Sequence, residues 1–119
     1  AGGASEQVVR IDTDFHGRIY TASRNRRLMQ IVANLSDQIQ RFRMRSLAAP
    51  GRLKDTLSEH RRLVAAIARG DAAQARKLAE EHIERAEASL LKAQQQAAGA
   101  GERSGGGGGR GGAGGGGQR

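Results

Sequence analysis

The 119-residue sequence contains no cysteine, no tryptophan and a single proline, and it has few aromatic residues. The absence of cysteine excludes disulfide bonds and thiolate ligands for a metal ion. No stretch approaches the roughly 20 apolar residues that a membrane-spanning helix needs, and no secretory signal is visible. The chain also lacks a basic groove with interleaved aromatic side chains, which would bind nucleic-acid bases. From these absences we expect a cytoplasmic protein without a membrane partner.

Glycine is concentrated at one end of the chain, in residues 99–119, where it is the commonest residue. A segment of this composition has almost no apolar surface to bury, so we predict that it is disordered. Residues 1–98 remain as the candidate folded domain, and they rely on Leu, Ile, Val and Ala, which favours helices over sheets. The net charge is +8, but both signs are mixed along this part of the chain. The sequence therefore predicts an all-α domain with a disordered tail.

Breaks in the apolar pattern divide residues 1–98 into about four helices, which we expect to form an antiparallel bundle. Asn25 follows the first helix, the Ala-Ala-Pro-Gly segment at 48–51 follows the second, and Gly70 follows the third. Proline disfavours a helical residue before it, whereas glycine and asparagine suit helix ends. Asp71 is a predicted N-terminal cap of the last helix. The predicted helices span Ser5–Ser23, Arg26–Leu47, Arg52–Arg69 and Asp71–Ala98.

Each predicted helix carries apolar residues at spacings of three or four, and these should face the core of the bundle. The predicted inner faces, in chain order, are Val8, Ile11, Phe15 and Ile19; Leu28, Ile31 or Val32, Leu35, Ile39 and Phe42; Leu53, Leu57, His60, Val64 and Ile67; and Ala75, Leu78, His82, Ala86 and Ser89 or Leu90. Two histidines thus stand where leucine would be expected.

The sequence has three histidines, and each lies on or beside an apolar stripe. Asp12 and His16 are one helical turn apart, so they share a face of the first helix; His60 and His82 lie on two other helices. Any one of these histidines can be a partly buried residue bonded to a carbonyl or carboxylate. Burying all four polar groups together is costly unless they satisfy one another, and a divalent metal ion would do so. Imidazole nitrogen and carboxylate oxygen are ligands of zinc, nickel, iron and manganese, of which zinc is the first choice.

Two segments of the chain resemble a known family. DTDFHGRIYTASRNRRL and EHRRLVAAIARGDAAQARKLAEEHI are similar to motifs of the FCD domain. This is the C-terminal effector-binding domain of GntR-family transcription regulators of the FadR type. The resemblance covers roughly residues 7–92 and rests on several motifs in the family's order. The matching residues are Asp12, Phe15, His16, Ser23, Asn25, Glu59, His60, Ala66, Ile67, Gly70, Asp71, Ala75, His82 and Ile83.

The resemblance implies a function. In metal-binding members of the family, the ligands fall on the positions of Asp12, His16, His60 and His82, and a small carboxylate effector reaches the metal in a pocket of the helical bundle. The regulators are dimers that bind DNA through an N-terminal winged helix-turn-helix domain, which this sequence does not contain. The family's effector domain also begins with further helices. We therefore expect that the chain is the C-terminal half of a regulator, and the glycine-rich tail has no counterpart in the family.

Two other functions fit parts of the sequence. An Asp and three His around a metal ion could activate water for hydrolysis, but Asp14 and Glu59, the nearest carboxylates, are predicted to point away from the ligands, so we expect no enzyme. The arginines of the tail could bind nucleic acid, although solvated disorder explains them more simply. Arg41 and Arg45 are predicted on solvated helix faces; either one, if it pointed inward, would be a candidate contact for an anionic effector.

Overall fold

The computed structural model describes the backbone of residues 2–104 and the side chains of residues 6–102. These residues contain no strand, which confirms the predicted all-α fold. None of the helices in this part of the chain combines the length and the apolarity that a bilayer crossing requires. The five helices are α1 (Gly2–Ala22), α2 (Arg26–Asn34), α3 (Ser36–Leu47), α4 (Arg52–Ala68) and α5 (Ala72–Ser104).

Short polar or glycine-containing turns end the helices where the sequence predicts. The Asn25 side chain accepts a hydrogen bond from the Leu28 amide at 3.0 Å and caps α2. Gly70 has φ of 71°, a left-handed conformation that glycine adopts without strain, and it ends α4. The Asp71 carboxylate then accepts a hydrogen bond from the Gln74 amide at 3.1 Å and caps α5. The turn is therefore only three residues long, and α4 and α5 form an antiparallel hairpin.

Two boundaries differ from the prediction. The single helix expected over 26–47 is wrong, because Leu35 leaves helical geometry with φ of −99° and ψ of 4° and separates α2 from α3. Ser36 and Asp37, which suit the first turn of a helix, follow directly. The last helix also continues six residues past its predicted end at 98, into the segment that was expected to be disordered. The rest of the predicted tail, 105–119, lies outside the described residues.

The centre of the apolar core lies between α4 and α5. Leu63, Ala66 and Leu78 are buried there, and α1 adds Phe15 and Ile19 from the side. Helix α3 packs against α5 on the C-terminal side of this core. There the Ser46 hydroxyl donates to the Ala86 carbonyl and the Ser89 hydroxyl donates to the Ser46 carbonyl, both at 3.2 Å. Helices α1, α3, α4 and α5 consequently surround one polar region beside the core.

The predicted inner faces of the helices are confirmed for α5 and wrong for α4. In α5, Leu78, His82 and Ala86 are buried. In α4, Leu57 and Val64 are 47% and 49% exposed. The residues that α4 buries are Arg52, Thr56, Glu59, Leu63 and Ala66. Spacings of four, three, four and three make this an equally regular helical face, but one that contains two charges.

The first helix is likewise rotated from the prediction. Ile11 is 62% exposed, whereas Val9, Asp12 and His16 are buried. The exposed apolar side chains of α1 and α4 line an open groove of about 540 Å³. Asp12 and His16 therefore lie in the interior of the bundle itself, and not beside its apolar face.

Candidate metal centre

The four predicted ligands lie together in the structure. His16, His60 and His82 each present a ring nitrogen, and the three nitrogens lie within 4.8 Å of one another. Asp12 Oδ1 is 3.5 Å from His16 Nε2 and 3.6 Å from His60 Nε2. His60 Nε2 and His82 Nε2 are 3.3 Å apart. Three helices distant in sequence thus direct four metal-binding side chains to one point.

The local fold explains this convergence. Asp12 and His16 are four residues apart on α1, so both side chains leave the same face of the helix. His60 and His82 lie ten residues before and twelve residues after Gly70. Positions about equally distant from the turn of an antiparallel helical hairpin face each other, and the Gly70 turn therefore pairs these two histidines.

Packing holds the histidine rings in place. Phe15 stacks on His60 with ring centroids 4.0 Å apart and an interplanar angle of 12°. His16 meets the ring of His60 edge-on, with centroids 5.1 Å apart. Asp12 and His16 are 9% exposed and His82 is 6% exposed. Because little water reaches them, these groups must find their polar partners within the cluster.

A buried ion pair, formed by Arg52 and Glu59, contacts His82 at its Nδ1 atom. The Arg52 guanidinium donates two hydrogen bonds to the Glu59 carboxylate, at 2.8 and 2.9 Å. The same carboxylate accepts a hydrogen bond from His82 Nδ1 at 2.7 Å. The prediction that Glu59 points away from the site is wrong, because the side of α4 that carries Glu59 packs against α5. Sequence reasoning missed Arg52 as well, although both residues share the regular face of α4 described above.

Another arginine contacts Asp12. Arg43 Nε lies 3.3 Å from Asp12 Oδ2, and Arg43 Nη1 donates to the Thr13 hydroxyl at 3.1 Å. The other carboxylate oxygen of Asp12, Oδ1, is the one that faces the histidines. Arg41 and Arg45, the arginines proposed from sequence, are exposed on the same helix. The structure brings Arg43, which lies between them, to the cluster.

The environment favours ionised carboxylates at Asp12 and Glu59 and neutral imidazoles at His60 and His82. Burial opposes ionisation of Asp12, but the neighbouring His16 and the charge of Arg43 outweigh it and lower its pKa. Burial likewise opposes ionisation of Glu59, and the hydrogen bonds from Arg52 and His82 lower its pKa overall. Burial, followed by the neighbouring His82 and His16, lowers the pKa of His60 to about 4. Burial also lowers the pKa of His82, although the hydrogen bond to Glu59 works in the opposite direction.

These properties match those of a divalent metal site. Neutral imidazoles and an ionised carboxylate are the protonation states that bind metal ions, and the donor set suits zinc, nickel, iron or manganese. Asp12 Oδ1 and the ring nitrogens of the three histidines would hold the ion. When bound, the ion would supply a positive charge and coordination positions for an anion.

A cavity of about 230 Å³ opens beside the cluster, between α1, α3, α4 and α5. Its volume corresponds to that of about seven or eight water molecules in the liquid. Asp12, His16 and His82 form one side of the cavity, and Arg43, Arg52 and Thr56 also line it. Arg52 Nε and Thr56 Oγ1 are buried and have no hydrogen-bond partner among the described residues.

Comparison with known proteins agrees with this architecture. The family model of the FCD domain matches residues 1–85. The chain belongs to the FCD family. FCD domains are the C-terminal, ligand-sensing domains of GntR-family transcription regulators. No curated protein and no solved structure gives a significant match. The match includes α1 to α4 and the part of α5 that carries His82.

Proposed function

We propose that this FCD domain senses a small organic acid through a bound divalent metal ion, within a GntR-family regulator of the FadR type. The observation that supports the proposal most strongly is the convergence of Asp12, His16, His60 and His82 beside a cavity lined by arginines. Zinc is the first candidate for the ion, and nickel, manganese or iron suit the same ligands. Regulators of this family are not enzymes, and the binding of an effector needs no further catalytic group.

The chemistry of the cavity favours an anion of limited size. Four protein ligands leave one or two positions on a five- or six-coordinate ion, and a carboxylate would occupy them. Arg43 and Arg52 line the same cavity, and the positive charge of Arg43 would attract a second negative or polar group. A volume of about 230 Å³ is smaller than that of pockets for drug-sized ligands, which suits an acid of few carbon atoms.

The proposed output of sensing is altered DNA binding. We propose that the regulator is a cytoplasmic homodimer, which contacts DNA through a winged helix-turn-helix domain. Because the cavity is bounded by four helices, an acid that binds one arrangement of them more tightly than another would shift the population of arrangements. The exposed apolar face of α1 and α4 would pack against another part of the regulator.

A thermal-shift screen of small carboxylic acids tests the proposal. The protein is loaded with zinc or treated with a chelator, and each acid is added to both forms. We expect at least one acid to raise the melting temperature of the zinc form and to leave the chelated form unchanged. Equal stabilisation of both forms would mean that the ion is structural and that the acid binds elsewhere. Failure of the protein to bind any divalent ion would contradict the proposal directly.

Hydrolysis is not retained as a second function. Glu59, one of the carboxylates considered as a general base, is bound to Arg52 and His82 and is not free to accept a proton from water. Asp14 is exposed on α1. No observation on the described residues favours turnover of a substrate over its binding.

A further inference from the structure

We propose that Glu59 is a positioning residue of the metal site, which holds His82 in the tautomer that leaves Nε2 free to bind the ion. The part of this inference that concerns the ion rests on the proposed metal-dependent function. The part that concerns the tautomer of His82 depends only on the hydrogen bonds of the protein, and the experiment below measures the two parts separately.

The tautomer follows from the partners of the two ring nitrogens. His82 Nδ1 lies 2.7 Å from Glu59 Oε1, and an ionised carboxylate can only accept a hydrogen bond. Nδ1 must therefore carry the proton. Arg52 Nη2 lies 3.5 Å from the same nitrogen, but a guanidinium only donates, so this second approach does not compete. In a neutral imidazole, a proton on Nδ1 leaves the lone pair on Nε2, the nitrogen that faces His60.

Arg52 fixes the Glu59 carboxylate, which accepts the hydrogen bond from His82 Nδ1. Its two hydrogen bonds occupy both oxygens of Glu59, and both residues are 6% exposed. A bidentate pair of this kind defines the orientation of the carboxylate as well as its position. Arg52 Nη2 also approaches the carbonyl of His82 at 3.5 Å. The contacts therefore link α4 to the backbone and the ring of the same residue on α5.

A carboxylate that is bonded to the second ring nitrogen of a metal-binding histidine affects metal binding strongly. A carboxylate behind a metal-binding histidine fixes the orientation of the ring and increases the basicity of the ligand, and its loss typically weakens metal binding by roughly 10- to 100-fold. His60 and His16 lie close to other cluster residues and Phe15. Among the three histidines, His82 is the one whose second nitrogen is bonded to a carboxylate in the described structure.

The main variant must remove the acceptor without leaving a buried charge unpaired. Replacing Glu59 alone by an apolar residue would strand the Arg52 guanidinium and risk unfolding. The main variant is therefore the double replacement Arg52→Met with Glu59→Leu. Glu59→Gln is the conservative variant, because its amide oxygen can still accept from Nδ1. The matched control is Arg76→Met with Glu80→Leu, which removes an exposed ion pair on α5.

The first measurement is zinc affinity, by competition with a chromophoric chelator. We expect the double variant at 52 and 59 to bind zinc roughly 10- to 100-fold more weakly than the wild-type chain. Glu59→Gln should recover part of that loss, and the control pair should stay within about twofold. Zinc binding at wild-type affinity by the double variant overturns the role of Glu59. A wild-type chain that binds no zinc overturns the proposed metal-dependent function and, with it, this role.

The second measurement is the tautomer of His82 in the metal-free protein, read from the imidazole nitrogen shifts in NMR spectra. We expect the Nδ1–H form in the wild-type chain and in Glu59→Gln, and a shift toward the Nε2–H form in the double variant. Detection of the Nε2–H form in the wild-type chain overturns the inference whether or not zinc binds. A purely structural role of Glu59 would leave the tautomer unchanged in a folded double variant and would also overturn it.

Discussion

His60 and His82 approach each other through their Nε2 atoms, which are 3.3 Å apart across the α4–α5 hairpin. Because His82 donates its Nδ1 proton to Glu59, its Nε2 atom can only accept, and in the metal-free chain the hydrogen bond must run from His60 to His82. A metal ion at the cluster would replace that proton. The contact between these two histidines is thus satisfied by its own hydrogen bond when no ion is bound.

We predict that His60→Ala and His82→Ala each abolish stoichiometric binding of a divalent ion. Each substitution removes the only candidate ligand on its helix, so the remaining groups would come from at most two helices. The loss of metal affinity should exceed the roughly 10- to 100-fold effect of replacing a residue such as Glu59, which contacts a ligand but not the ion. Metal analysis of protein purified without chelator provides the measurement, with exposed Asp14→Asn as the control. Full metal content in both histidine variants would refute the ligand assignment.

The lowered pKa of His60 predicts that acidification destabilises the metal-free protein. Burial, with the neighbouring His82 and His16, lowers this pKa from 6.5 to about 4, so the unfolded chain binds more protons than the folded one between these values. Stability therefore rises with pH in this window and is lost as the pH falls from 6.5 toward 4. The difference is on the order of 2–3 kcal/mol, since one pKa unit corresponds to about 1.4 kcal/mol.

Urea unfolding of chelated protein at pH 7 and at pH 4.5 measures this effect. We expect a lower midpoint at pH 4.5 and a smaller pH dependence in His60→Gln, in which residue 60 does not titrate. His82, whose pKa is also lowered, still contributes in this variant. Asp12 and Glu59 act in the same direction at lower pH, because their pKa values are also lowered by the fold. Equal midpoints at both pH values for the wild-type chain would contradict the burial of a neutral His60.

The sequence predicted the ends of helices better than their faces. Asn25, Gly70 and Asp71 act locally, through caps and a left-handed turn, and the structure confirms all three. The inner face of α4 depends on what packs against it. Leu57 and Val64 form a regular apolar stripe, yet α5 meets the neighbouring face, where Glu59 is buried. Apolar spacing alone cannot distinguish two regular faces when the polar one is satisfied by partners from another helix.

The four candidate metal ligands could be proposed from the sequence because histidines interrupt apolar stripes. His60 and His82 stood out as polar residues where leucine was expected, and Asp12 and His16 as a pair one turn apart. Arg43 is not predicted because nothing in the local pattern distinguishes it from a solvated charge. Arg52 and Glu59, seven residues apart, carried a recognisable signal, since that spacing places opposite charges on the same helical face.

We predict that Leu63→Ala destabilises the fold by about 2–5 kcal/mol, the range for a buried leucine reduced to alanine. Leu63 is 5% exposed and belongs to the core cluster with Ala66 and Leu78. Leu91→Ala is the matched control, because Leu91 is 48% exposed on α5, and its effect should stay below about 1 kcal/mol. Urea unfolding of the chelated proteins gives both values. A larger effect at Leu91 than at Leu63 would show that the core lies elsewhere.

We predict, finally, that Arg43 is the arginine of α3 that contacts the acid. Its side chain lines the cavity beside the cluster, and its contacts with Asp12 and Thr13 use Nε and Nη1 of a group that has five N–H donors. Arg41 and Arg45, the candidates from sequence, are exposed and do not line this cavity. The three arginines therefore form a matched set on one helix, with a single member directed at the site.

The test compares Arg43→Gln with Arg41→Gln and Arg45→Gln, using the acid that gives the largest thermal shift with the zinc form. Loss of a hydrogen bond to a charged group costs about 1.5–3 kcal/mol, so Arg43→Gln should weaken the acid by roughly 10- to 100-fold. Both controls should bind within about twofold of the wild-type chain. Zinc affinity is measured in parallel, since Arg43 also contacts Asp12. If Arg43→Gln loses zinc and the acid together, Arg43 serves to orient Asp12; if Arg41→Gln or Arg45→Gln has the larger effect on the acid, the effector binds outside this cavity.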